Sequence, residues 1–395
     1  MRILKLILRI LRNLRYSGSK QKHGLNQICC NKNIGARYMC RKLCLAIAAF
    51  CLTLCVVYSA DGRALVGAIR WDDWHDKEGY AYKSWSKYLE PEQWHYRHPF
   101  FAKLDICKLT IRCDIQEVAD KEIAYAKESG LDYWAYGYYF PGAWEGADRY
   151  NWALYKYLSS EHKSDINFCI RLGAGYDADE WYSWMIPTLV SYFQEPTYQT
   201  VAGGRPLVYI FGVDEFIDTF GSAAAARQAL DDLRTAATNA GCGSPYIVCM
   251  VWSASDGANY INNVGYDAMS AYTHFDFGAD DEEYPYSVLA AENASFWNEC
   301  KATGKQVIPI VNIGWDNRPR RETSGGGPWY TEPTMTEWKN HLQAALDWVD
   351  ANPGAAEPNS VIIYAWNEID EGGWMVPTRG EGTARIEATG EVLNQ

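Results

Sequence analysis

The first 60 residues of this 395-residue chain contain no aspartate or glutamate, although they contain 11 lysines and arginines. Residues 61–395 therefore hold 26 basic and 49 acidic residues, a formal net charge of −23 that the whole-chain value of −12 conceals. A surface of this sign repels phosphate backbones, so we expect no nucleic-acid partner. Neutral glycans would not be repelled.

Residues 61–395 also lack the usual sequence signs of metal, phosphate and cofactor sites. Their six cysteines include no CxxC pair, so we expect no structural metal and no cofactor. No glycine-rich phosphate turn follows the first strand-like run. Asp72-Asp73 and Asp280-Asp281 lack the Asp-x-Asp form of a metal site for a nucleotide sugar. Cys107 and Cys113 could bridge a hairpin if the protein is exported.

The basic segment has the features of an export signal. Arg41-Lys42 precede an apolar run over residues 43–57, and the small residues Ser59 and Ala60 follow. These are the charged, hydrophobic and cleavage regions of a secretory signal. A retained signal anchor is the alternative, because the run is almost long enough to cross a bilayer. We therefore expect a secreted or cell-surface protein, with membrane contact only through this anchor. Met39 is a possible true start, which would leave residues 1–38 untranslated.

Strand-like and helix-like segments alternate through residues 61–395, and no linker divides them. Eight runs are apolar at nearly every position, as expected of parallel strands buried on both faces. Eight strand–helix units in one α/β domain predict a (β/α)8 TIM barrel; a doubly wound open sheet is the alternative. The predicted strands are 65–69, 131–139, 166–172, 206–211, 246–252, 267–273, 307–313 and 361–366. The predicted helices are 116–129, 147–162, 180–193, 222–240, 285–303 and 334–351, with weaker ones at 255–265 and 381–393.

Aromatic and polar side chains follow the predicted strands at their C-terminal ends, where barrel active sites are built. The chain has 17 tryptophans and 28 tyrosines, more than a core of this size needs, and flat rings also stack on sugars. This mixture favours a sugar-binding cleft over ordinary polar loops. The candidate substrate-binding residues are Trp71, Asp72, Tyr136, Tyr138, Arg171, Trp252, Tyr272, Trp315, Asp316, Asn317, Trp366 and Asn367.

Glu368 and Glu371 are the candidate catalytic residues. Glycoside hydrolysis usually needs two carboxyl groups, and these two stand three residues apart directly after the last predicted strand. Residues at that spacing in a helical turn face the same way, and repulsion between them would raise one pKa. Solvated loop carboxylates, or acids favoured at a helix N-terminus, are the alternative interpretation.

The same region resembles a known family. The segment Tyr364-Ala-Trp-Asn-Glu368-Ile-Asp-Glu371-Gly372, with Pro377 beyond it, resembles the Trp/Phe-Asn-Glu-Trp-x-Glu-Gly…Glu-Pro motif of glycoside hydrolase family 99-like barrels. Gly314-Trp315-Asp316-Asn317-Arg318-Pro319-Arg320 is similar to their strand-7 motif. The group includes endo-α-mannosidases and bacterial WbsX-like proteins that are labelled glycosyltransferases of surface polysaccharide clusters.

This resemblance implies a retaining hydrolase that cleaves an α-linked polysaccharide or glycan. Glu368 would act on the 2-hydroxyl of the substrate, and Glu371 would be the general acid and then the base. Ile369 replaces the tryptophan of the family motif, and Val376 replaces the glutamate before Pro377, so the subsites near the chemistry should differ. A non-catalytic glycan-binding barrel and a glycosyltransferase stay open as alternatives.

Overall fold

The computed structural model of the protein describes residues 62–76, 85–106, 108–173 and 175–395. The predicted export signal or anchor and Cys107 lie outside these residues, whereas Cys113 is a buried free thiol. All of the described residues belong to one compact unit. Within them, no helix combines the length and the apolar character that a membrane crossing requires.

Eight parallel strands form the predicted barrel in the predicted chain order. Each strand pairs with the next one from β1 to β7, and β8 pairs with both β7 and β1. The strands are β1 (Leu65–Arg70), β2 (Tyr133–Tyr138), β3 (Asn167–Leu172), β4 (Arg205–Ile210), β5 (Tyr246–Met250), β6 (Ala268–Ser270), β7 (Gln306–Val307 and Ile310–Asn312) and β8 (Ser360–Tyr364).

Strand β7 closes the ring through two separate segments, which the sequence did not predict. Gln306–Val307 pairs with β6, and Ile310–Asn312 pairs with β8. Between them, the Ile308 N–H donates to β6, and the Pro309 carbonyl accepts a hydrogen bond from β8 at 2.9 Å. Proline has no N–H, so the ladder to β6 cannot continue through this position.

Side chains along each strand alternate between the barrel interior and the surrounding helices. The Tyr133 hydroxyl of β2 lies inside the barrel, 2.8 Å from the Tyr209 hydroxyl of β4 and 3.0 Å from Ser360 Oγ of β8. The next residue, Trp134, packs outward against the ring of Tyr157, a helix residue, at 6.2 Å between centroids. The same alternation decides which predicted site residues can reach the cleft.

Helices follow the strands and cover the outside of the barrel. All eight predicted helices are present, although the one predicted at 147–162 is α-helical only in its middle part. Two additional helices are present, namely a short one at Arg321–Ser324 and α4, which covers the barrel. Helix α4 ends at Gly221, whose φ of +76° suits glycine; Ser222 then caps α5. The helices are α1 (Gln116–Glu128), α2 (Trp152–Ser159), α3 (Ala178–Glu180 and Ile186–Phe193, joined by a π-helical turn at Trp181–Met185), α4 (Val213–Phe220), α5 (Ala223–Asn239), α6 (Ala254–Val264), α7 (Tyr286–Ala302), α8 (Met335–Ala351) and α9 (Ala384–Leu393).

Candidate active site

A tight hairpin after β8 carries both candidate glutamates. Asn367–Glu368 pairs antiparallel with Gly373–Trp374, and the 3-10 turn Ile369–Glu371 joins the two segments. Both glutamate side chains are buried at the C-terminal end of the barrel. The hairpin therefore holds two carboxyl groups at the end of the barrel where active sites of this fold are found.

Glu368 has one bonded and one open carboxyl oxygen. Its Oε1 accepts a hydrogen bond from the Tyr272 hydroxyl, and its Oε2 has no hydrogen-bond partner among the described residues. Burial raises the pKa of Glu368 to about 7; the neighbouring Asp370 also raises it, while the cations of Arg320 and Arg171 oppose the rise. A carboxyl group with a pKa near neutrality is suited to exchange a proton with a substrate.

Glu371 is held by a tyrosine and an arginine. Its Oε2 accepts a hydrogen bond from the Tyr364 hydroxyl, and its Oε1 forms an ion pair with the Arg320 guanidinium. The rings of Tyr272 and Tyr364 are only 5.6 Å apart between centroids. Since each ring carries the hydroxyl that binds one glutamate, the two carboxyl groups share one small site.

Arg320 is a site residue that the sequence did not predict. Its guanidinium contacts Glu371, lies 3.5 Å from Asp370 Oδ2, and lies 5.0 Å from the ring centre of Trp85. Two features of the sequence could have predicted this role. Arg320 belongs to the strand-7 motif, and the three carboxylates in residues 368–371 require a nearby cation. The contact itself joins residues 51 positions apart in the sequence, so it depends on how two loops pack.

Glycines allow the loops after β7 and β8 to pack this closely. A Cβ on Gly314 would lie 2.2 Å from the Gly372 carbonyl oxygen, and a Cβ on Gly372 would lie 2.4 Å from the Asp316 nitrogen. The Asp316 N–H instead donates to the Glu371 carbonyl at 2.6 Å. The loop that carries Arg320 is thereby fixed against the hairpin that carries the glutamates.

Two predicted substrate-binding residues lie beside or beneath Glu368. Tyr272 binds the glutamate directly. Arg171 is buried, with its guanidinium 5.3 Å from the Tyr272 ring centre, and it fits there because a Cβ on Gly137 would lie 2.2 Å from Arg171 Nη2. Arg171 therefore lies below the cleft, where its charge acts on Glu368, and it does not present its guanidinium to solvent.

The structure corrects the predicted substrate contacts of Tyr136, Tyr138 and Trp366. All three are buried on the helix side of the barrel, and for the two tyrosines this agrees with the alternation along β2. The Tyr138 hydroxyl accepts a hydrogen bond from a tryptophan of α3, and Trp366 Nε1 donates to Glu122 of α1 at 2.9 Å. Side chains alternate between the two faces of a strand, and applying this rule to residues 133–138 of β2 would have predicted that both tyrosines point away from the cleft.

Four other predicted substrate-binding residues are buried among the loops at this end of the barrel. Asp72 accepts hydrogen bonds from Arg70 at 3.0 Å and from Asn367 Nδ2 at 2.9 Å, and burial raises the Asp72 pKa to about 6. Asp316 is buried and forms ion pairs with Arg97 and Arg318. Asn317 is buried at the start of the turn that leads to Arg320. Their satisfied hydrogen bonds and burial favour a structural role for Asp72, Asn367 and Asp316.

Two runs of aromatic rings border the glutamates and contain the remaining predicted residues. The first run starts at Trp85, beside Arg320, and its successive ring centroids lie 4.7–5.9 Å apart. The second starts at Trp315, beside Tyr364, with spacings of 4.3–5.2 Å, and ends at Trp252, which is 50% exposed. The first run is Trp85, Trp71, Tyr150, Tyr139 and Trp144; the second is Trp315, Phe275, Phe277 and Trp252.

The arrangement places two buried carboxyl groups between two runs of aromatic rings, which form the aromatic walls of the candidate site. Over the part of the chain that the structure describes, no group of three or more histidine, cysteine, aspartate or glutamate side chains is placed to hold a metal ion. The chemistry that the described residues offer is acid–base and nucleophilic chemistry by Glu368 and Glu371, next to surfaces suited to sugar rings.

Sequence comparison finds one family model and a bacterial relative. The family model described as Glycosyltransferase WbsX matches residues 172–389. The uncharacterized protein WxcX of Xanthomonas campestris pv. campestris (strain B100) is 37% identical over 89 residues. That match covers 22% of this chain and 12% of WxcX, so the chain corresponds to a small part of this relative.

Comparison with solved structures identifies the barrel type. A glycoside hydrolase-like protein superimposes with a TM-score of 0.57 at 12% identity, covering 84% of this chain and 94% of that protein. The GH99 endo-alpha-mannosidase from Bacteroides thetaiotaomicron superimposes with a TM-score of 0.55 at 14% identity, covering 83% of this chain and 96% of the enzyme. At these identities the likeness shows the fold alone, and it confirms the predicted glycoside hydrolase family 99-like barrel.

Proposed function

This chain belongs to the family described as Glycosyltransferase WbsX, and from that premise and the geometry of the site we propose that it is a glycoside hydrolase acting on glycans. The observation that carries the proposal is the pair Glu368 and Glu371. Both carboxyl groups are buried after β8, each is bonded to its own tyrosine hydroxyl, and both lie between two aromatic walls.

We assign Glu368 the role of base toward the 2-hydroxyl of the sugar. Its open Oε2 would take the hydroxyl proton while the 2-oxygen attacks the anomeric carbon and displaces the leaving group. Glu371 would donate a proton to the departing oxygen. In the second step Glu371 would take a proton from water, which opens the anhydro ring, and Glu368 would return its proton to the 2-oxygen. Two displacements at one carbon give retention.

Arg320 places a condition on this mechanism. An opposite charge in contact with a carboxyl group favours its ionised form, whereas a general acid has to carry a proton. The Arg320 guanidinium would therefore have to leave Glu371 Oε1 when the substrate binds, while it remains close to Asp370. The position of Trp85 under the Arg320 guanidinium offers a surface along which that side chain can move.

The aromatic walls and the charge of the protein support a neutral or weakly charged glycan as the substrate. The exposed rings at the ends of the two runs, Trp144 and Trp252, are accessible to sugar rings, and the net charge of −23 over residues 61–395 would repel a strongly anionic polymer. We propose an α-linked glycan by analogy with the motif in residues 364–372. Export to the cell surface or medium is proposed from residues 1–60.

A glycosyltransferase is the second candidate, because that activity is part of the family description. A transferase would move a sugar from an activated donor to an acceptor and would generate no new reducing ends. Product analysis separates the two activities directly.

The test measures release of reducing ends from a panel of α-linked polysaccharides by the wild type, Glu368→Gln and Glu371→Gln. Loss of general acid–base catalysis predicts a decrease of about 100-fold or more in kcat for each variant. Glu215→Gln, an exposed glutamate in the first turn of α4, is the matched control and should retain full activity.

Activity that survives both active-site substitutions would refute the assigned mechanism. Binding of a polysaccharide without cleavage by the wild type would instead indicate a glycan-binding barrel. Sugar transfer from a nucleotide-sugar donor, with release of the nucleoside diphosphate, would establish the transferase.

A further inference from the structure

Helix α3 contains a π-helical turn that separates its aromatic side chains. Within Trp181–Met185, Trp181 is fully buried, packs edge-on against Phe216 at 5.2 Å between centroids, and donates its Nε1–H to the Ala229 carbonyl. Trp184, in the same turn, is 46% exposed. A π-turn places one extra residue in the helix and is often found at functional sites. Here it directs one tryptophan into the core and another onto the surface.

Trp184 is part of an aromatic surface on the outer wall of the barrel, outside the cleft. Its Nε1 donates to the Tyr138 hydroxyl at 3.3 Å, and its ring lies 6.1 Å from that of the partly buried Phe140. Tyr155 of α2 is 39% exposed, and its partial burial and the electrostatic effect of Tyr138 both raise its pKa. We name Trp184, Tyr155 and Phe140 the outer platform, in which two exposed rings, one of them with a hydroxyl group, accompany a partly buried one.

The outer platform is continuous with the cleft around the end of β2. Tyr139, which belongs to the first aromatic run, and Phe140, which belongs to the platform, are adjacent residues on opposite sides of the strand end. The turn from Phe140 to Ala143, closed by a backbone hydrogen bond of 3.0 Å, leads directly to the exposed Trp144 at the cleft rim. A polymer leaving the cleft over Trp144 would meet the platform next.

We propose that the outer platform is a second carbohydrate-binding surface, which holds a neutral polysaccharide chain apart from the site of cleavage. An aromatic face attracts the apolar C–H face of a sugar ring, and the hydroxyl of the exposed Tyr155 can bond to sugar hydroxyls. The acidic charge of the protein disfavours an anionic occupant. The inference rests on the proposed function for the choice of a glycan as the occupant, but it requires no catalysis.

Affinity electrophoresis in native gels tests the proposal, since an acidic protein migrates freely and a bound neutral polymer retards it. The probes are yeast α-mannan, dextran and soluble starch, with polygalacturonate as an anionic comparison. All proteins carry Glu368→Gln so that no polymer is cleaved. Trp184→Ala and Tyr155→Ala should each weaken retardation by the polymer that the parent binds best by about tenfold, as expected for the loss of one stacking ring.

Tyr182→Ala is the matched control. Tyr182 is equally exposed, at 46%, and lies in the same π-turn, but its hydroxyl donates to Asp232 of α5, away from the platform. Retardation of this variant should equal that of the parent. Tyr155 and Trp184 lie on different helices, so their substitutions would disturb folding at different places. The unfolding temperatures of both variants show whether either substitution affects folding.

The proposal is overturned if none of the three neutral polymers retards the parent protein, or if Tyr182→Ala weakens binding as much as Trp184→Ala does. It is also overturned if polygalacturonate is bound more tightly than the neutral polymers. Cleavage is measured separately with wild-type protein, so the two proposals can fail independently. Retardation of the protein without any release of reducing ends would support the binding surface and contradict the hydrolase.

Discussion

Glu368→Gln is expected to stabilise the protein at alkaline pH. Burial raises the pKa of this carboxyl group from 4.5 to about 7, so ionising Glu368 in the folded protein is unfavourable. Each pKa unit corresponds to about 1.4 kcal/mol, which makes the cost about 3 kcal/mol once the group is fully ionised. Glutamine has nearly the same shape, stays neutral, and can still accept the hydrogen bond from Tyr272.

The direction of the pH dependence follows from proton binding. Between pH 4.5 and 7 the unfolded chain has released the Glu368 proton while the folded protein retains it, so the free energy of unfolding of the wild type decreases as the pH rises. Below pH 4.5 both states are protonated, and the wild type and the variant should be equally stable with respect to this group. Above pH 7 the variant should be more stable by the full amount.

Thermal unfolding of the wild type and Glu368→Gln at pH 4.5 and pH 8 measures this difference. For a domain of about 335 residues the entropy of unfolding is roughly 0.7 kcal/mol/K, so 3 kcal/mol corresponds to about 4 °C in Tm. Glu215→Gln, which changes an exposed carboxylate, should show no such difference between the two pH values. An equal shift of Tm for Glu368→Gln at both pH values would refute the inference that burial raises the pKa of Glu368.

Three further outcomes follow from the contacts of the site. Arg320→Met should lower activity and move the acidic limb of the kcat/KM profile to higher pH, because a cation that favours ionised Glu368 is lost; Arg320→Lys should restore part of both. Gly314→Ala should reduce both Tm and activity, since the added Cβ would lie 2.2 Å from the Gly372 carbonyl oxygen. Trp252→Ala should raise KM for a polysaccharide about tenfold with kcat unchanged, because an exposed ring contributes binding without touching the glutamates. Unchanged KM would place Trp252 outside the substrate path.

Several features of the fold were predictable because they are encoded locally. Apolar runs of strand length and helical periodicity report which faces of a segment are buried, and they predicted all eight barrel strands and eight of the nine helices that cover the barrel. The break in β7 was missed because a proline within an apolar run does not say which neighbour each half will pair with. Helix α4 was missed because its eight residues, Val213–Phe220, are short and directly precede α5.

The predicted site was partly predictable for the same reason. Chain order placed Glu368 and Glu371 after the last strand, and the topology of a parallel barrel brings that position to the active-site end whatever the loops contain. The direction of individual side chains was less well predicted. Tyr136 and Tyr138 were assigned to the cleft from their position near the end of β2, although the strand period turns both toward the helices.

The sequence by itself determined the barrel, the order of its strands and the location of two glutamates at its C-terminal end, because periodicity and chain order are properties of neighbouring residues. Only the tertiary structure decided how these glutamates are held. Arg320 reaches Glu371 because Gly314 and Gly372 let two loops approach closely, and the Glu368 pKa is near 7 because surrounding residues exclude water. Burial and long-range charge contacts arise from residues distant in sequence, so no local pattern contains them.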